Sequence, residues 1–556
     1  MWSDNKSKII LIGILSLAFL LRFHNIGYAE FTGDEAIVVA KALGIVRAGS
    51  YFRKTPFLDE EVNFWTLSII LKHHHPPMEI TAHIPILVFF GVTEFVARIP
   101  YLFSGVISVL LFYKIAEELY GAPAAHLAAT LATINGYFIA FSRHVQFMVL
   151  FLLFSLFTAY YSVKYYKSNA LKDSGLAAFF LGLTLLSHHF GIFMVIPLLY
   201  VIVQKRYENS LETKNLVVSL IILAIIILPF FIPWMFASYL FPELVPPGTG
   251  YASTSQRASP SLQFNFFIFR IWLRYNPLFF SVILIWGALT SLWFRNWKLY
   301  FFATWFLAYF IPLTFLILPS PTYTYILLAP LVLLASFGIH KSYFMITDRI
   351  WKVRIQTVNV FLILAGACFL SLSVWNSYIT FLQYDIYPAS APLFYNSRSY
   401  KTEQDAPYGA NYGRKIGYKA AGWFIRHNSN ENDIILGGDP AKAAYYCDRL
   451  IKGDIKNPED FETIKRELPK NLFILFPSHL IDQYTEIWTF TGENYNLVAV
   501  VSYDGQPTMF IFAPSPSSEV TELNTEKYEK LFDEEFGSIE NSLYKYFGGS
   551  YPTTMV

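Results

Sequence analysis

Two adjacent carboxylates and a run of histidines follow the first apolar segment of the chain. Asp34 and Glu35 lie in the stretch FTGDEAIVV at residues 31–39, and three histidines precede two prolines in HHHPPM at residues 73–78. A carboxylate beside a reacting hydroxyl or amine can remove its proton as a general base. Histidines near acids can hold a divalent metal ion. We therefore expect Asp34 to be a general base, with Glu35 steadying it, binding the acceptor or ligating a metal.

The same residues allow a structural interpretation, which the sequence leaves open. Thr32 and Glu35 have the spacing of a capping box, and carboxylates stabilise the N-terminus of a helix. The Pro-Pro step favours a helix start and holds His75 extended in front of it. A metal site would use Glu35, His74 and His75. Otherwise these histidines would bond to backbone groups or lipid headgroups at the interface.

The composition indicates a membrane protein. Of 556 residues, 54% are hydrophobic and 15% are charged, and the mean hydropathy is +0.40. A soluble globular chain is about a quarter charged, so most of this apolar surface must face lipid. The net charge of +2 gives no basic excess for binding nucleic acid. Cys368 and Cys447 are too few for a disulfide framework.

Apolar stretches that could cross a bilayer recur along the chain. A spanning helix needs roughly 20 apolar residues, and on this basis we predict about eleven transmembrane helices. The apolar run IILIGILSLAFLL in the first of them is followed by Arg22, Phe23 and His24 instead of a small-residue cleavage site, which indicates an uncleaved anchor. The predicted spans lie near residues 8–26, 98–118, 123–141, 146–166, 173–188, 190–204, 215–236, 277–294, 299–318, 323–340 and 357–378.

Positive charge sets the orientation of these spans. If the N-terminus is cytoplasmic, the lysines and arginines fall in cytoplasmic turns, as the positive-inside rule requires. The first loop, residues 27–97, and the region after residue 380 then lie outside. The positively charged residues that support this orientation are Lys164, Lys167, Lys205, Arg206, Lys214, Arg295, Lys298, Lys341, Arg349, Lys352 and Arg354.

We predict an α-helical polytopic membrane module at residues 1–379, followed by a soluble extracytoplasmic α/β domain at residues 380–556. The long first outer loop at residues 27–97 carries two apolar segments too short to span. Residues 34–48 and 80–91 favour helices lying in the outer interface.

The C-terminal region alternates predicted strands and helices. A strand, a turn and a helix are predicted in NDIILGGDPAKAAYYCDRL, and a further strand in NLFILFPS. Two strands around an Asp-Gly turn are predicted in LVAVVSYDGQPTMFIFAP, and an acidic helix near residues 525–547.

Arginines at the outer ends of several spans run against the usual charge bias. Because a guanidinium group holds phosphate through a forked set of donors, we expect them to bind a lipid-linked phosphate substrate. Each could instead pair with an acid or with lipid headgroups. Tyr323 and Tyr325 face the same side and could bind the donor or be ordinary interfacial aromatics. The arginines are Arg98, Arg143, Arg257, Arg270 and Arg274.

Several stretches resemble the GT-C membrane glycosyltransferases, in particular the protein O-mannosyltransferases and the aminoarabinose transferases of lipid A. They are DEAIVVAKALGIVRAG, HPPMEI, VARIPYLFSGVISVLLFYKIAEELYG, INGYFIAFSRHVQFMVLFLLF and YTYILLAPLVLLASFGI. The soluble domain of many such proteins is similar to GYKAAGWFIRHNSNENDIILGGDPAKAAYYCDR. The resemblance covers most of residues 8–450.

The resemblance implies a sugar donor carried on a polyprenyl or dolichyl phosphate and transfer with inversion. Asp34 would activate the acceptor hydroxyl, with Glu35 as its acidic neighbour. His75 would be the histidine of the HPP motif, and Arg143 would lie near the donor phosphate. A glycan, lipid or protein would be the acceptor, outside a plasma membrane. Residues 78–80, Met-Glu-Ile, replace the Leu-Gly-Lys of mannosyltransferases, so the sugar stays open.

Two other classes of function remain open. A transporter or flippase would also have many spans, but it usually carries ionisable residues at mid-membrane or two similar halves. Here the acids cluster at one face and no repeat is evident. A non-catalytic scaffold of the cell envelope would use Asp34 and Glu35 only as a helix cap.

Overall fold

The protein forms two compact units, each built from separate stretches of sequence. The first contains residues 1–25, 70–79 and 100–411, and the second contains residues 26–69, 80–99 and 412–556. The boundary predicted between residues 379 and 380 lies outside the described residues and stays a prediction. The computed structural model describes residues 4–46, 73–241, 278–315, 325–350 and 417–536, apart from gaps at 25, 28–29, 32, 74, 92, 295–296, 431–432, 455–457, 468, 482–483, 504–505 and 516–518.

Helices dominate the described residues. Up to residue 241 they are α1 (Asp4–Phe23), α2 (Gly33–Val46), α3 (Met78–Phe90), α4 (Glu94–Tyr120), α5 (Ala122–Ile134), α6 (Gly136–Phe141), α7 (Phe147–Ser168), α8 (Leu171–Ser187), α9 (Val195–Tyr207), α10 (Thr213–Ile226), α11 (Ile232–Met235) and α12 (Ala237–Leu240). The later helices are α13 (Leu278–Trp293), α14 (Trp297–Phe315), α15 (Leu328–Ile350), α16 (Tyr418–Asn428), α17 (Pro440–Cys447), α18 (Pro458–Glu467), α19 (Thr485–Asn494) and α20 (Thr525–Phe536).

Every predicted span within the described residues coincides with helix, and the span at 357–378 lies outside them. The predicted class, a polytopic α-helical membrane protein with a C-terminal α/β domain, is confirmed, whereas the number of spans stays a prediction. Among the described residues, the helices long and apolar enough to cross a membrane are Glu94–Tyr120, Phe147–Ser168, His189–Tyr207, Thr213–Met235 and Tyr325–Tyr343. Helices α2 and α3 occupy the two segments predicted to lie in the interface.

Local sequence explains where the helices of the first unit are interrupted and where they approach closely. The π-helix Ile227–Phe231 separates α10 from α11 and contains Pro229, which cannot donate a backbone hydrogen bond. Helices α13 and α15 meet at two glycines. A Cβ on Gly338 would overlap the carbonyl of Gly287, so only glycine permits this approach. Small residues at helix contacts are typical of packing within membranes.

The second unit contains a mixed sheet of six strands in the order β2-β1-β3-β5-β4-β6. Strand β1 is parallel to β2 and β3, β5 is antiparallel to β3 and β4, and β6 is parallel to β4. Strand β3 pairs Ile474 with Phe512 of β5 and is buried along its whole length. The strands are β1 (Ile434–Gly437), β2 (Leu450–Asp454), β3 (Leu472–Pro477), β4 (Asn496–Tyr503), β5 (Gln506–Ala513) and β6 (Thr521–Asn524).

Helix α17 packs against both α16 and α2 in the second unit, and α20 also packs against α16. The approach of α16 to α17 depends on Gly422, where a Cβ would lie 2.6 Å from the carbonyl oxygen of Tyr446. The helix that begins with Gly33 and Asp34 is thereby packed against residues 440–447, far along the chain.

Candidate active site

An arginine and a carboxylate predicted for different roles form a buried ion pair in the second unit. Arg98 Nε lies 2.9 Å from Glu35 Oε1, and Arg98 Nη2 lies 2.9 Å from Glu35 Oε2. Their side chains are 1% and 2% exposed, respectively. Two parallel charge-assisted bonds of this kind fix the orientation of both groups. Arg98 therefore fixes the first turn of helix α2.

The rest of the Arg98 guanidinium holds the backbone before that helix. Nη1 donates to the carbonyl of Ile26 at 2.8 Å, and Nη2 donates to the carbonyl of Glu30 at 3.2 Å. The guanidinium carbon also lies 5.5 Å from the centre of the Phe31 ring. One side chain thus ties Glu35 to the chain that leads into α2. The prediction that Arg98 binds donor phosphate stays a prediction.

Asp34 is the second residue of helix α2, directly before the anchored Glu35. Its side chain lies outside the described residues, so its role as a base stays a prediction. The backbone position of Asp34 is nevertheless fixed by its neighbour, because both oxygens of Glu35 are held by Arg98. We call residues 26–35 the acidic segment.

A second buried polar cluster in the same unit contacts the acidic segment through residues that sequence reasoning missed. Lys419 Nζ lies 2.9 Å from Glu94 Oε2 and 2.7 Å from Asp533 Oδ1. The backbone N–H of Lys419 donates to Glu30 Oε1 at 2.9 Å. The Tyr446 hydroxyl donates to Glu94 Oε1 at 2.6 Å.

Burial and neighbouring charges shift the titration of these groups. Burial alone would lower the pKa of Lys419, but Glu94 and Asp533 outweigh it and raise that pKa above its usual value. Burial, reinforced by Glu94, raises the pKa of Tyr446 well above its usual value. Burial also raises the pKa of Glu30, against the N–H bond from Lys419. Lys419 therefore stays charged and Tyr446 stays neutral at physiological pH.

Four histidines of the first unit lie in a chain of neighbouring rings, and two of them contact the ring of Phe147. The ring of His75 is centred 4.0 Å from that of Phe147 and 5.4 Å from that of His188. His188 stacks on Phe147 at 4.8 Å and lies 4.1 Å from His189. His73 lies 5.7 Å from His75. The predicted pinning of His75 before a helix agrees with its position three residues before α3.

His73 is bonded through its backbone carbonyl and lies near an acid. Its Nε2 lies 3.6 Å from Glu79 Oε2, and its carbonyl accepts a bond of 2.8 Å from the Trp234 indole. Among the described residues, no three His, Cys, Asp or Glu side chains gather as metal ligands. His74 lies outside those residues, so the metal site of Glu35, His74 and His75 stays a prediction.

Arg143 lies at the end of the short helix α6, which is capped at both ends. The side-chain oxygen of Asn135 accepts from the N–H of Phe138 at 3.0 Å, and the Ser142 hydroxyl donates to the Phe138 carbonyl at 2.6 Å. Arg143 is 1% exposed, and its Nη2 donates to the His24 carbonyl at 2.6 Å. The first unit thus holds a buried cation in the SRH turn.

Arg22 is a second buried cation of the first unit. In the sequence it only marks the end of the anchor, and its position directly after an apolar run was the available signal. It is 1% exposed and donates to the carbonyls of Ala18 at 3.1 Å and Ala132 at 3.4 Å. It also interacts electrostatically with Tyr325, whose ring stacks on Phe141 at 4.7 Å.

The remaining predicted site residues are not described. Arg257 and Tyr323 lie outside the described residues, and so do Arg270 and Arg274. Their assignment to the donor stays a prediction. In the described part of the first unit, an apolar cavity of about 330 Å³ lies between helices α13, α14 and α15, lined by residues such as Leu289, Phe306 and Leu331.

Part of the sequence matches a family model, and the fold is similar to that of solved structures. Residues 74–234 match the family model described as dolichyl-phosphate-mannose-protein mannosyltransferase. No curated protein matches the sequence significantly. The structure is similar to that of ArnT from Cupriavidus metallidurans in the apo state, with a TM-score of 0.60 and 12% identity, covering 92% of this chain and 99% of that chain.

Two further structures have the same fold. ArnT from Cupriavidus metallidurans bound to undecaprenyl phosphate has a TM-score of 0.58 and 12% identity, covering 92% of this chain and 98% of that chain. The archaeal oligosaccharyltransferase AglB from Archaeoglobus fulgidus, in complex with an inhibitory peptide and a dolichol-phosphate, has a TM-score of 0.56 and 13% identity, covering 93% of this chain and 75% of that chain.

The chain is therefore a multi-pass membrane protein with the GT-C fold, and the predicted resemblance to the GT-C superfamily is confirmed. The family model and the fold together support a glycosyltransferase.

Proposed function

We propose that this protein is an inverting glycosyltransferase, which moves a hexosyl or pentosyl group from a polyprenyl-phosphate donor to a glycan, lipid or protein acceptor. ArnT binds undecaprenyl phosphate, and the archaeal oligosaccharyltransferase binds a dolichol-phosphate and a peptide. The apolar cavity between helices α13, α14 and α15 suits the prenyl chain of such a donor.

The observation that carries the proposal is the buried ion pair in which Arg98 donates one hydrogen bond to each carboxylate oxygen of Glu35. We call this pair the fork between Arg98 and Glu35. Both oxygens of Glu35 are occupied by one buried guanidinium. Glu35 is therefore a poor candidate for a base, because protonating it would break a buried ion pair. Asp34, its immediate neighbour on a fixed helix, is left as the base of the pair.

The reaction needs few groups. The acceptor oxygen attacks the anomeric carbon, its proton passes to the Asp34 carboxylate, and the bond from that carbon to the phosphate oxygen breaks. Polyprenyl phosphate leaves as an anion, so cationic groups that stabilise the leaving charge contribute more than a general acid would. We assign this task to Arg143, with His75 and Tyr325 also on the donor, and Arg257 and Tyr323 as further candidates from the sequence.

We assign the reaction to the outer face of the plasma membrane. The positive charges in the predicted cytoplasmic turns support this orientation. Nucleotide sugars are cytoplasmic, so a lipid-linked sugar is the activated donor available on that side.

The test is direct. Purified protein in lipid nanodiscs is incubated with candidate polyprenyl-phosphate sugars and acceptors, and loss of the donor is followed by mass spectrometry. We expect the wild type to consume a donor and D34N to consume none while remaining folded. E462Q, which changes an acid that is 57% exposed, serves as the matched control and keeps wild-type activity. Movement of a soluble solute across vesicles without donor consumption would instead support a transporter.

The orientation has its own test. In a variant with both cysteines replaced by serine, K41C on helix α2 is treated with a membrane-impermeant maleimide in intact cells. We expect labelling from outside. Labelling only after permeabilisation would place the carboxylates in the cytoplasm and end the proposal.

A further inference from the structure

The acidic segment is bonded on one side by Arg98 and on the other by residues more than 380 positions later in the chain. The backbone N–H of Phe31 donates to the Tyr446 hydroxyl at 2.7 Å, and these residues are 415 positions apart. Glu30 Oε1 accepts from the N–H of Lys419, 389 positions away. These contacts all lie within the second unit.

The Tyr446 hydroxyl both accepts and donates a hydrogen bond, which requires a group that is a donor and an acceptor at once. It accepts from Phe31 N–H and donates to Glu94 Oε1. The side chain is fully buried, so water cannot replace either bond. The ring of Tyr445 adds an edge contact to Phe31, with the ring centres 5.0 Å apart. Phenylalanine in place of Tyr446 would keep the packing but leave a buried N–H and a buried carboxylate oxygen without these bonds.

Lys419 supplies the positive charge that stabilises the buried carboxylate of Glu94. It is 6% exposed and neutralises Glu94 and Asp533 at once. Without its ammonium group the buried carboxylate of Glu94 would lose the cation that it contacts directly and would keep only weaker support, which includes the Tyr446 hydroxyl and the electrostatic attraction of Arg98. Glu94 precedes Arg98 by one turn of helix α4, so a displacement of Glu94 is transmitted to the residue that holds Glu35.

We propose that Lys419 and Tyr446 are positioning residues, which keep the acidic segment, and with it Asp34, in the geometry needed for the transfer step. Neither residue need touch a substrate. This inference rests on the proposed function for its effect on turnover, whereas the immobilisation of the segment can be measured without any reaction.

The experiment compares Y446F and K419M with a control for each. Y495F removes another buried phenol of the second unit whose hydroxyl makes no hydrogen bond within the described part of the chain. K465M removes a lysine that is 43% exposed and pairs with exposed acids. For each protein, kcat and the donor KM are measured, and backbone hydrogen exchange is followed over residues 26–46.

We expect Y446F and K419M to lower kcat by about ten- to a hundredfold, because small misplacements of reacting groups have effects of that size. The donor KM should change by no more than about twofold, because the residues proposed to bind the donor are untouched. Hydrogen exchange in residues 26–46 should rise in both variants and stay at the wild-type level in Y495F and K465M. K419R, which keeps the charge, should recover part of the loss of kcat.

Two results would overturn the inference. One is a wild-type kcat in Y446F with exchange of residues 26–46 unchanged. The other is a uniform rise in exchange over the whole second unit, with kcat falling only in proportion to the fraction unfolded, which would make these residues general stabilisers. If the wild type transfers no sugar, the proposed function fails on its own, and the exchange of residues 26–46 still decides whether Lys419 and Tyr446 immobilise the segment.

Discussion

The buried fork between Arg98 and Glu35 can be tested by removing each partner and then both. Breaking a buried ion pair from one side leaves an uncompensated charge and costs about 3–5 kcal/mol of the free energy of unfolding. We expect E35Q to fall at the lower end, since glutamine keeps one acceptor oxygen for the guanidinium. R98M should fall at the upper end, because it also removes the bonds to the carbonyls of Ile26 and Glu30, each worth about 1 kcal/mol.

The double variant E35L/R98M contains no buried charge at this position. Replacing a whole buried ion pair by apolar side chains is often neutral or stabilising, so we expect the double variant to be less destabilised than R98M alone. Measured from the single variants E35L and R98M and from the double variant, the coupling between the two sites should be about 3 kcal/mol, well beyond the 0.5 kcal/mol that independent sites show. The free energies come from denaturant titrations of the protein in mild detergent, followed by tryptophan fluorescence.

A surface pair supplies the matched control. Lys114 and Glu117 are also 2.9 Å apart, but their side chains are 43% and 37% exposed. K114M should therefore cost less than about 1 kcal/mol. If E35Q and R98M cost no more than K114M, or if the effects of E35L and R98M simply add in the double variant, the fork does not hold the start of helix α2 and the reasoning built on it fails.

Three further predictions concern chemistry, pH and packing. D34N should abolish sugar transfer while lowering stability by no more than about 1 kcal/mol, because it removes only the attraction between a negative charge and the helix N-terminus; a fully active D34N would exclude the base. The raised pKa values of Lys419 and Tyr446 mean that their stabilisation is present below the usual values of 10.5 and 10.0 and is lost as the pH rises through the folded values. The melting temperature should therefore fall as the pH rises above about 10, and it should fall less steeply with pH in Y446F than in the wild type. Equal slopes in the two proteins would contradict this prediction. G338A should lower the melting temperature because a Cβ there meets backbone, whereas G492A, where a Cβ meets nothing within 4 Å, should not.

Much of the fold is local and was predictable from the sequence. Apolar runs of membrane length became helices, and the strand in NLFILFPS became the fully buried β3. Strands β2 and β6 were missed because LIKGD and TELN are short segments with charged residues and few apolar ones, and they lie at the two edges of the sheet. Helix α20 begins at Thr525 as predicted and is described to Phe536.

The candidate site was predictable in its residue types and not in its pairings. Asp34, Glu35 and Arg98 stood out because charges are rare beside apolar runs, but their partners are set by the tertiary fold. Arg98 is 63 positions from Glu35, and no local spacing relates them. Lys419 offered one signal, a lysine among small buried residues of helix α16. The role of Lys419 could not be inferred from this signal alone, because it depends on the contact of Lys419 with Glu94 in the folded protein.

The hydrogen bonds that join residues 30 and 31 to residues 419 and 446 also constrain how the molecule is made. Contacts so distant in sequence form slowly, because closing the long intervening loop costs entropy, and during synthesis they form only after residues 419 and 446 have been made. When only the membrane spans have been synthesised, the acidic segment cannot yet form its hydrogen bonds to Lys419 and Tyr446. Nascent or truncated chains would therefore lack an organised start of helix α2, and competence for catalysis would arise only near the completion of synthesis.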